Sequence, residues 1–281
     1  HDLLPNSHEC YAGKPGTIGD RVGNFVIRNS DLVLVLGCRL NIRQISYNWK
    51  SFAPNAKIIM VDIDKYELEK HTLNINVKLH YDLNKFMKEF QKRADIWAPV
   101  KTHIDFLSWC KKRVQKYSIS SKDYVSAKNK INPYNFFSEL YKNTKLGDVI
   151  VLGNGSACVI GFQCAEIHSG IRLFTNSGCA SMGYDLPAAI GASLSDLTRK
   201  KRVICVAGDG SIMMNVQELA TVKYLNLPIK IFILDNGGYH SIRQSQLHHF
   251  PDNIAGTGKS DGLGFPSFVS IASAFGIKNT L

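Results

Sequence analysis

The chain has 281 residues, of which 44% are hydrophobic and 20% charged, and it carries a formal net charge of +11 at pH 7. This length allows one large domain or two ordinary ones, and the composition is typical of a globular protein rather than a disordered or collagen-like one. Because no apolar run approaches the roughly 18 to 20 residues of a membrane span, we expect a cytoplasmic protein without a membrane partner.

The first hundred residues alternate helix-like segments with short apolar runs. Val22, Phe25 and Val26 recur at helical spacing, and apolar runs of strand length lie at 32–37 and 58–63. Continuous apolar runs are typical of parallel strands covered on both faces. The order helix, strand, helix, strand predicts an α/β domain, which we place at 1–95.

A basic stretch follows this first domain. Between Lys85 and Lys130, twelve Lys and Arg residues stand against four Asp and Glu residues, a surplus of eight. The stretch contains no nucleic-acid motif, and a solvated helix followed by a linker explains its charge. We therefore place a basic linker at 96–131 and expect no nucleic-acid partner.

The remainder of the chain predicts a second α/β domain at 132–281. Asn132 and Pro133 form a helix-start signal. Helical patterns lie at 186–194 and 212–220, and strand-like runs lie at 149–152, 172–174, 203–207 and 229–234. The predicted fold class is thus α/β, with two doubly wound parallel-sheet domains. Ligands of such sheets bind beyond the carboxyl ends of the strands, which favours the loops after Leu152, Ala207 and Leu234.

The loop after the third of these strands reads Gly208-Asp209-Gly210-Ser211. Its glycines allow a close backbone approach to a ligand, and amides at a helix start favour phosphate. A tight turn would explain these four residues alone. Asn236, however, follows Asp209 by 236 − 209 = 27 residues, at the end of the next strand. A carboxylate, an amide oxygen and a nearby carbonyl are the hard donors that Mg²⁺ prefers, so the two loops together predict a magnesium–phosphate site.

The segment from Gly208 to Asn236 resembles the thiamine-diphosphate motif of the acetolactate synthase and pyruvate oxidase family. The segment 177–192 is similar to the part of that family before the motif, and 52–64 resembles its central domain. The resemblance implies thiamine diphosphate and Mg²⁺ as cofactors. It also implies that the first domain, at 1–95, is cut at its N-terminal side and that the C-terminal domain is incomplete in this chain. The implied metal ligands are Asp209, Asn236 and the carbonyl of Gly238.

The resemblance also implies contacts to the rest of the cofactor. Met182 would hold thiamine diphosphate in a bent conformation, although a core methionine is the alternative. Ser156 departs from the family pattern, which usually has glutamine or histidine contacts in this loop. The implied cofactor-binding residues are Asn154, Gly155, Ser156, Ala180, Met182, Gly208, Gly210, Ser211 and Ile242.

FAD is a further candidate cofactor, because central domains of acetolactate synthases carry it and other relatives lack it. Arg39 and Arg43 would either meet an ADP diphosphate or pair with surface acids. His240 and Arg243 are candidates for contact with an anionic substrate, or are solvated.

The activity implied is decarboxylation of a 2-oxo acid and transfer of the two-carbon unit to a second carbonyl, as in branched-chain amino-acid synthesis. The active site would be shared between subunits of a homodimer or homotetramer. The activating glutamate would lie on an N-terminal domain outside this chain, so no catalytic residue is named and the chain alone is expected to be inactive.

Two alternatives to this activity remain. Ser245 replaces a family tryptophan, which favours a lyase or hydrolase acting on a sugar- or cyclitol-derived ketone. The other alternative is a non-catalytic cofactor-binding or scaffold subunit.

Overall fold

A computed structural model describes residues 2–119, 124–195 and 201–278. The described residues form two compact units, one within 8–119 and the other within 120–281 together with the first seven residues. Both units are α/β with parallel sheets, which confirms the predicted fold class. Within the described ranges, no helix has both the length and the apolar composition needed to cross a bilayer.

The unit within 8–119 contains a three-stranded parallel sheet in the order β1-β2-β3. Asp20 begins its first helix by accepting a hydrogen bond from the Gly23 amide, 2.7 Å away. The strands are β1 (Leu32–Leu36), β2 (Lys57–Asp62) and β3 (Val77–His80). The helices are α1 (Arg21–Asn29), α2 (Ile42–Ile45), α3 (Lys65–Glu69), α4 (Leu83–Gln91) and α5 (Lys101–Lys116), with 3-10 turns at Trp49–Ser51 and Ala94–Ile96.

Strand β1 is covered on one face only. Val33 and Val35 are buried in the core of this unit, whereas Leu32 is 50% and Leu34 40% exposed. The prediction that the apolar run 32–37 is covered on both faces is therefore wrong for β1, because its side chains alternate between core and surface. Helix α5 lies in the basic stretch predicted as helix and linker.

The second unit contains a four-stranded parallel sheet in the order β5-β4-β6-β7. Asn132 caps its first helix by accepting from the Tyr134 amide, and Pro133 follows in the first turn. The strands are β4 (Val149–Leu152), β5 (Arg172–Phe174), β6 (Val203–Gly208) and β7 (Ile229–Leu234). The helices are α6 (Pro133–Lys142), α7 (Ser156–Cys164), α8 (Asp185–Leu194), α9 (Asp209–Met213), α10 (Leu219–Tyr224), α11 (His240–His249) and α12 (Phe268–Ala274), with 3-10 turns at Val216–Glu218 and Lys259–Asp261.

The helical pattern at 212–220 is interrupted in the structure. Helix α9 ends at Met213, and a 3-10 turn precedes α10. Asn215 leaves the helical conformation and donates its side-chain amide to the Gly183 carbonyl at 2.7 Å. This contact with another loop breaks the helix that the apolar spacing alone predicts.

The strand order creates a switch point between β4 and β6. The chain leaves β4 to form β5 on one side, and then returns to form β6 and β7 on the other. Diverging connections open a crevice at the carboxyl edge of a parallel sheet, where ligands bind. Every residue of β4 is buried, so this edge is built on the most enclosed strand of the unit.

Candidate functional site

Three loops with chemically distinctive residues meet at the carboxyl edge of the second sheet. Strands β4, β6 and β7 are neighbours and run parallel, with Leu152 paired to Val206 and Gly208 paired to Leu234. Their carboxyl ends are thus adjacent, and the loops that follow carry the predicted contact residues at 154–156, 208–211 and 236–238.

Asp209 joins two of these loops. Asp209 is only 2% exposed to solvent. Oδ1 accepts the Gly210 amide at 2.7 Å, and Oδ2 accepts the amides of Asn236 at 3.1 Å and Gly238 at 2.8 Å. The carboxylate therefore fixes the loop after β7 to the loop after β6.

The electrostatic surroundings of Asp209 suit a bound cation. Burial raises the pKa of its carboxyl above the ordinary value, the amide hydrogen bonds oppose this rise, and the nearby Asp235 carboxylate adds to it. A divalent cation at this point would offset both the burial and the repulsion between the two carboxylates. The charge balance thus fits a metal beside Asp209.

The three predicted metal ligands also retain oxygen lone pairs. Asp209 uses three of about four carboxylate acceptor positions for amides, which leaves one on Oδ1. The Gly238 carbonyl accepts the His240 amide at 3.1 Å with one of its two lone pairs, and Asn236 is exposed. In the described ranges, no group of three His, Cys, Asp or Glu residues could hold a metal. A set with one carboxylate suits Mg²⁺, which usually keeps waters and phosphate oxygens as ligands.

Space for a ligand lies beside two glycines of these loops. A Cβ atom built on Gly208 or Gly237 would have no neighbour within 4 Å. On Gly155, whose φ is +64°, a Cβ would meet only Ser241 Oγ at 3.8 Å. Open space beside the backbone is what a closely bound diphosphate requires.

Arg243 holds the loop that contains Gly238. Its guanidinium donates to the Gly237 carbonyl at 3.1 Å and to the Thr257 carbonyl at 2.7 Å. Gly238 has φ +137°, and a Cβ there would overlap the Thr257 carbonyl. Arg243 is thus engaged with backbone carbonyls, whereas His240, the other candidate for an anionic substrate, is exposed.

Met182 and Gly210 come together beside an aromatic ring. A Cβ on Gly210 would lie 3.5 Å from Met182 Cε and 2.6 Å from Tyr239 Cδ1, with Tyr239 Cε1 nearer still. Only glycine leaves room for Tyr239, whose ring in turn packs edge-on against Phe265 at 6.0 Å. Met182 therefore borders the 208–211 loop rather than a distant part of the core.

Two other predicted residues are linked directly. Asn154 donates its side-chain amide to the Ala180 carbonyl at 2.7 Å, and Ala180 has a positive φ of 54°. Ser156 begins α7 half-buried, and Ile242 lies on α11 with 46% exposure. The loop after β4 is thus bound to the segment that precedes Met182.

Ser211 leads to a residue that the sequence analysis did not select. Its Oγ accepts the Gly183 amide at 2.9 Å and makes a hydrogen-bond contact with Asp185 Oδ2. Asp185 is fully buried at the start of α8. The signal in the sequence was a single acidic residue directly before the apolar segment Leu186-Pro187-Ala188-Ala189.

The arginines considered for FAD lie in the other unit. Arg39 forms an ion pair with Glu67 at 3.0 Å, which agrees with the surface-pair alternative. The Arg43 carbonyl accepts the Thr17 amide at 2.7 Å and its hydroxyl at 3.2 Å. These contacts assign no ligand to either guanidinium.

Comparison with sequence models of protein families gives two matches. Residues 153–281 match the thiamine pyrophosphate enzyme C-terminal TPP binding domain, and residues 1–90 match the thiamine pyrophosphate enzyme central domain. The first match includes the Asp209 loops, and the second includes all three strands of the other sheet.

Curated relatives are similar along nearly the whole chain. Acetolactate synthase isozyme 2 large subunit of Escherichia coli (strain K12) is 32% identical over 267 residues, which are 95% of this chain and 46% of that protein. The probable acetolactate synthase large subunit of Methanococcus aeolicus is 30% identical over 98% of this chain and 46% of its own length. Acetolactate synthase 3, chloroplastic, of Brassica napus is 31% identical over 93% of this chain and 40% of its own length. The chain thus spans about half the length of these relatives.

Proposed function

We propose a function for this chain, which belongs to the thiamine pyrophosphate enzyme family. The proposed activity is the thiamine-diphosphate- and Mg²⁺-dependent decarboxylation of a 2-oxo acid, with transfer of the two-carbon unit to a second carbonyl compound. The observation that carries it is the buried Asp209 carboxylate, which joins the two loops with the predicted metal ligands. Relatives about 30% identical along the chain are named acetolactate synthases, and this supports the choice of reaction.

In this proposal the described loops divide the binding of the cofactor between them. Asp209, Asn236 and the Gly238 carbonyl hold Mg²⁺. Residues of the strand-end loops hold the diphosphate, and Met182 and its neighbours border the rings. The diphosphate set is Asn154, Gly155, Ser156, Gly208, Gly210 and Ser211, and the ring set is Ala180, Met182 and Ile242.

The protein contributes the position of the cofactor. When bound, thiamine diphosphate supplies the electron sink for the carbanion that remains after carbon dioxide leaves. Gly210 lets Tyr239 and Met182 approach the 208–211 loop, and Arg243 binds the carbonyl of Gly237, the neighbour of Gly238. No proton-transfer residue is assigned in this chain. The activating glutamate stays predicted for another domain, in a homodimer or homotetramer with a shared site, and the cytoplasmic location also stays a prediction.

A substrate screen tests the proposal. Full-length protein is incubated with thiamine diphosphate, Mg²⁺ and a panel of 2-oxo acids, with and without FAD. We expect carbon dioxide release that requires both cofactors, and acetolactate from pyruvate. Release that is independent of thiamine diphosphate would contradict the proposal. Whether the activity depends on added FAD decides whether the central domain uses FAD, as in acetolactate synthases, or lacks it, as in other relatives.

A second candidate is a same-family lyase or hydrolase that acts on a sugar- or cyclitol-derived ketone. Ser245 is exposed on α11, in the place where acetolactate synthases generally carry tryptophan. A small hydroxyl side chain leaves room for a larger and more polar substrate than a tryptophan wall does. Turnover of polyhydroxylated ketones without acetolactate formation would favour this candidate, and acetolactate formation at ordinary enzymatic rates would count against it.

A further inference from the structure

Asp185 is a buried acid at the meeting point of three loops of the candidate site. Asp185 is 0% exposed to solvent. Oδ2 contacts Ser211 Oγ in α9, and a Cβ on Gly153, directly after β4, would lie 2.5 Å from the same oxygen. Oδ1 accepts the Leu186 amide at 3.0 Å. The carboxyl therefore fills the space between the ends of β4 and β6.

The hydrogen-bond capacity of Ser211 links Asp185 to the ligand. A serine hydroxyl has one proton to donate and two lone pairs to accept with. One lone pair of Ser211 Oγ accepts the Gly183 amide at 2.9 Å. If Asp185 is ionised, the hydroxyl proton is donated to it and none remains for a phosphate oxygen. If Asp185 is neutral, its own proton occupies the second lone pair, and the Ser211 proton is free.

The surroundings of Asp185 favour the neutral form. Among the described residues, none of the ion pairs includes Asp185, and an ionised carboxylate buried without a cation is costly. Burial raises the pKa of Asp185 above its ordinary value, against the opposing hydrogen bonds from Ser211 and the Leu186 amide. A titratable neighbour of Asp185 in the sheet is the fully buried Cys205 thiol on β6, whose pKa is itself raised by burial.

We propose that Asp185 is a positioning residue, neutral in the folded protein, that donates to Ser211 Oγ and thereby directs the Ser211 hydroxyl proton to the diphosphate of the cofactor. This inference rests on the proposed function, because it takes thiamine diphosphate as the ligand. It adds a residue that acts through Ser211 and does not itself touch the ligand. It also explains how an acid is accommodated beside a site for a polyanion.

Binding of thiamine diphosphate in the presence of Mg²⁺, measured by titration calorimetry on the full-length protein, tests the relay. Asp185→Asn should stay within about threefold of the wild-type Kd, because its amide donates to Ser211 Oγ as the carboxyl does. Asp185→Ala should weaken binding about tenfold, and Ser211→Ala by a similar factor. The double variant should bind no more weakly than Ser211→Ala, because both changes remove one relay. Ser193→Ala, a buried serine on the same helix, is the matched control and should leave Kd unchanged.

Several outcomes would overturn the inference. These are wild-type affinity in Asp185→Ala, equal weakening in Asp185→Asn and Asp185→Ala, or tighter binding in Asp185→Asn, which would indicate an ionised carboxylate in the wild type. If Asp185→Ala does not fold, Asp185→Asn and Ser211→Ala decide between the same results. A wild-type protein that binds no thiamine diphosphate contradicts the proposed function together with this inference, whereas normal wild-type binding with an unaffected Asp185→Ala contradicts the inference alone.

Infrared spectroscopy gives a readout that needs no ligand. At neutral pH, the wild-type protein should show a protonated-carboxyl C=O band that disappears in Asp185→Asn. Unchanged spectra in this region would show that Asp185 is ionised, and would overturn the inference even if the binding results agreed with it.

Discussion

The strand ends of the two units are held by different kinds of contact. In the unit within 8–119, Glu67 pairs with Arg39 at 3.0 Å, and the Arg39 side chain is 67% exposed. In the other unit, the 2% exposed Asp209 accepts three backbone amides from two loops. Exposed ion pairs contribute little because water and salt screen them, whereas buried hydrogen bonds to a charge fix geometry.

The two sheets also differ in how deeply their strands are buried. Strand β1 alternates exposed and buried residues, whereas β4 is buried throughout. A fully enclosed strand gives its following loop a rigid base, which a binding constellation requires. The candidate site includes the loop that follows β4, and the comparison between the two units can be tested by changing one contact at a time.

The largest effect is expected from Asp209→Ala. This change removes a proposed metal ligand and the acceptor for three amides, so Mg²⁺-dependent binding of thiamine diphosphate should no longer be measurable by titration calorimetry. The matched control is Asp62→Ala, at the end of β2 in the other unit, where Oδ1 accepts the Asp64 amide at 2.9 Å. Unchanged affinity in Asp209→Ala would contradict the assignment of the metal site.

Arg202→Ala should lower the stability of the second unit. Arg202 Nε donates to Asp148 at 2.9 Å, and the Asp148 side chain is only 4% exposed. The change leaves the buried Asp148 carboxylate with a hydrogen bond from the Lys145 amide, 2.7 Å away, but without the guanidinium. Urea denaturation should show a loss of about 1–3 kcal/mol in unfolding free energy. A loss close to zero would mean that the pair behaves like an exposed one.

Gly210→Ala should affect both folding and binding. Its Cβ would overlap the Tyr239 ring, and overpacking of this kind costs about 1–3 kcal/mol. Gly208→Ala is the control, because its Cβ would have no neighbour within 4 Å and its φ of −79° suits alanine. Thermal unfolding without ligand should separate the two variants, and equal midpoints would contradict the packing argument.

The pH dependence of stability should change in Asp185→Asn. Burial raises the pKa of this carboxyl in the folded protein, so its stabilising contribution is present below the pKa of the unfolded chain and is lost as pH rises through the higher folded-state pKa. Urea denaturation across this range should show a smaller fall in stability for Asp185→Asn than for the wild type. Parallel curves would show that Asp185 does not titrate differently on folding.

The smallest effect is expected from Arg39→Ala. Its partner Glu67 keeps the ion pair with Lys70, and the Arg39 side chain is mostly exposed. The unfolding free energy should fall by less than about 1 kcal/mol in urea denaturation. A loss as large as that of Arg202→Ala would remove the distinction between the two units.

Apolar runs predicted most of the strands, because a buried parallel strand must present apolar side chains on successive positions. The run at 149–152 coincides with β4, and the run at 229–234 coincides with β7. Strand β3 was missed because Val77-Lys78-Leu79-His80 has only two apolar residues, and three of its four residues are exposed. Short, exposed strands depend on pairing with a neighbour, which a local pattern does not contain.

The sequence by itself determined that Asp209 and Asn236 stand at the ends of two strands, because strand spacing and parallel connection follow from local patterns. Only the tertiary structure decided which groups these loops offer to a ligand. Arg243 is occupied by the Gly237 and Thr257 carbonyls, and Ser211 by Gly183 and Asp185. Hydrogen-bond partners far apart in the chain depend on how the loops pack, and periodicity carries no information about that packing.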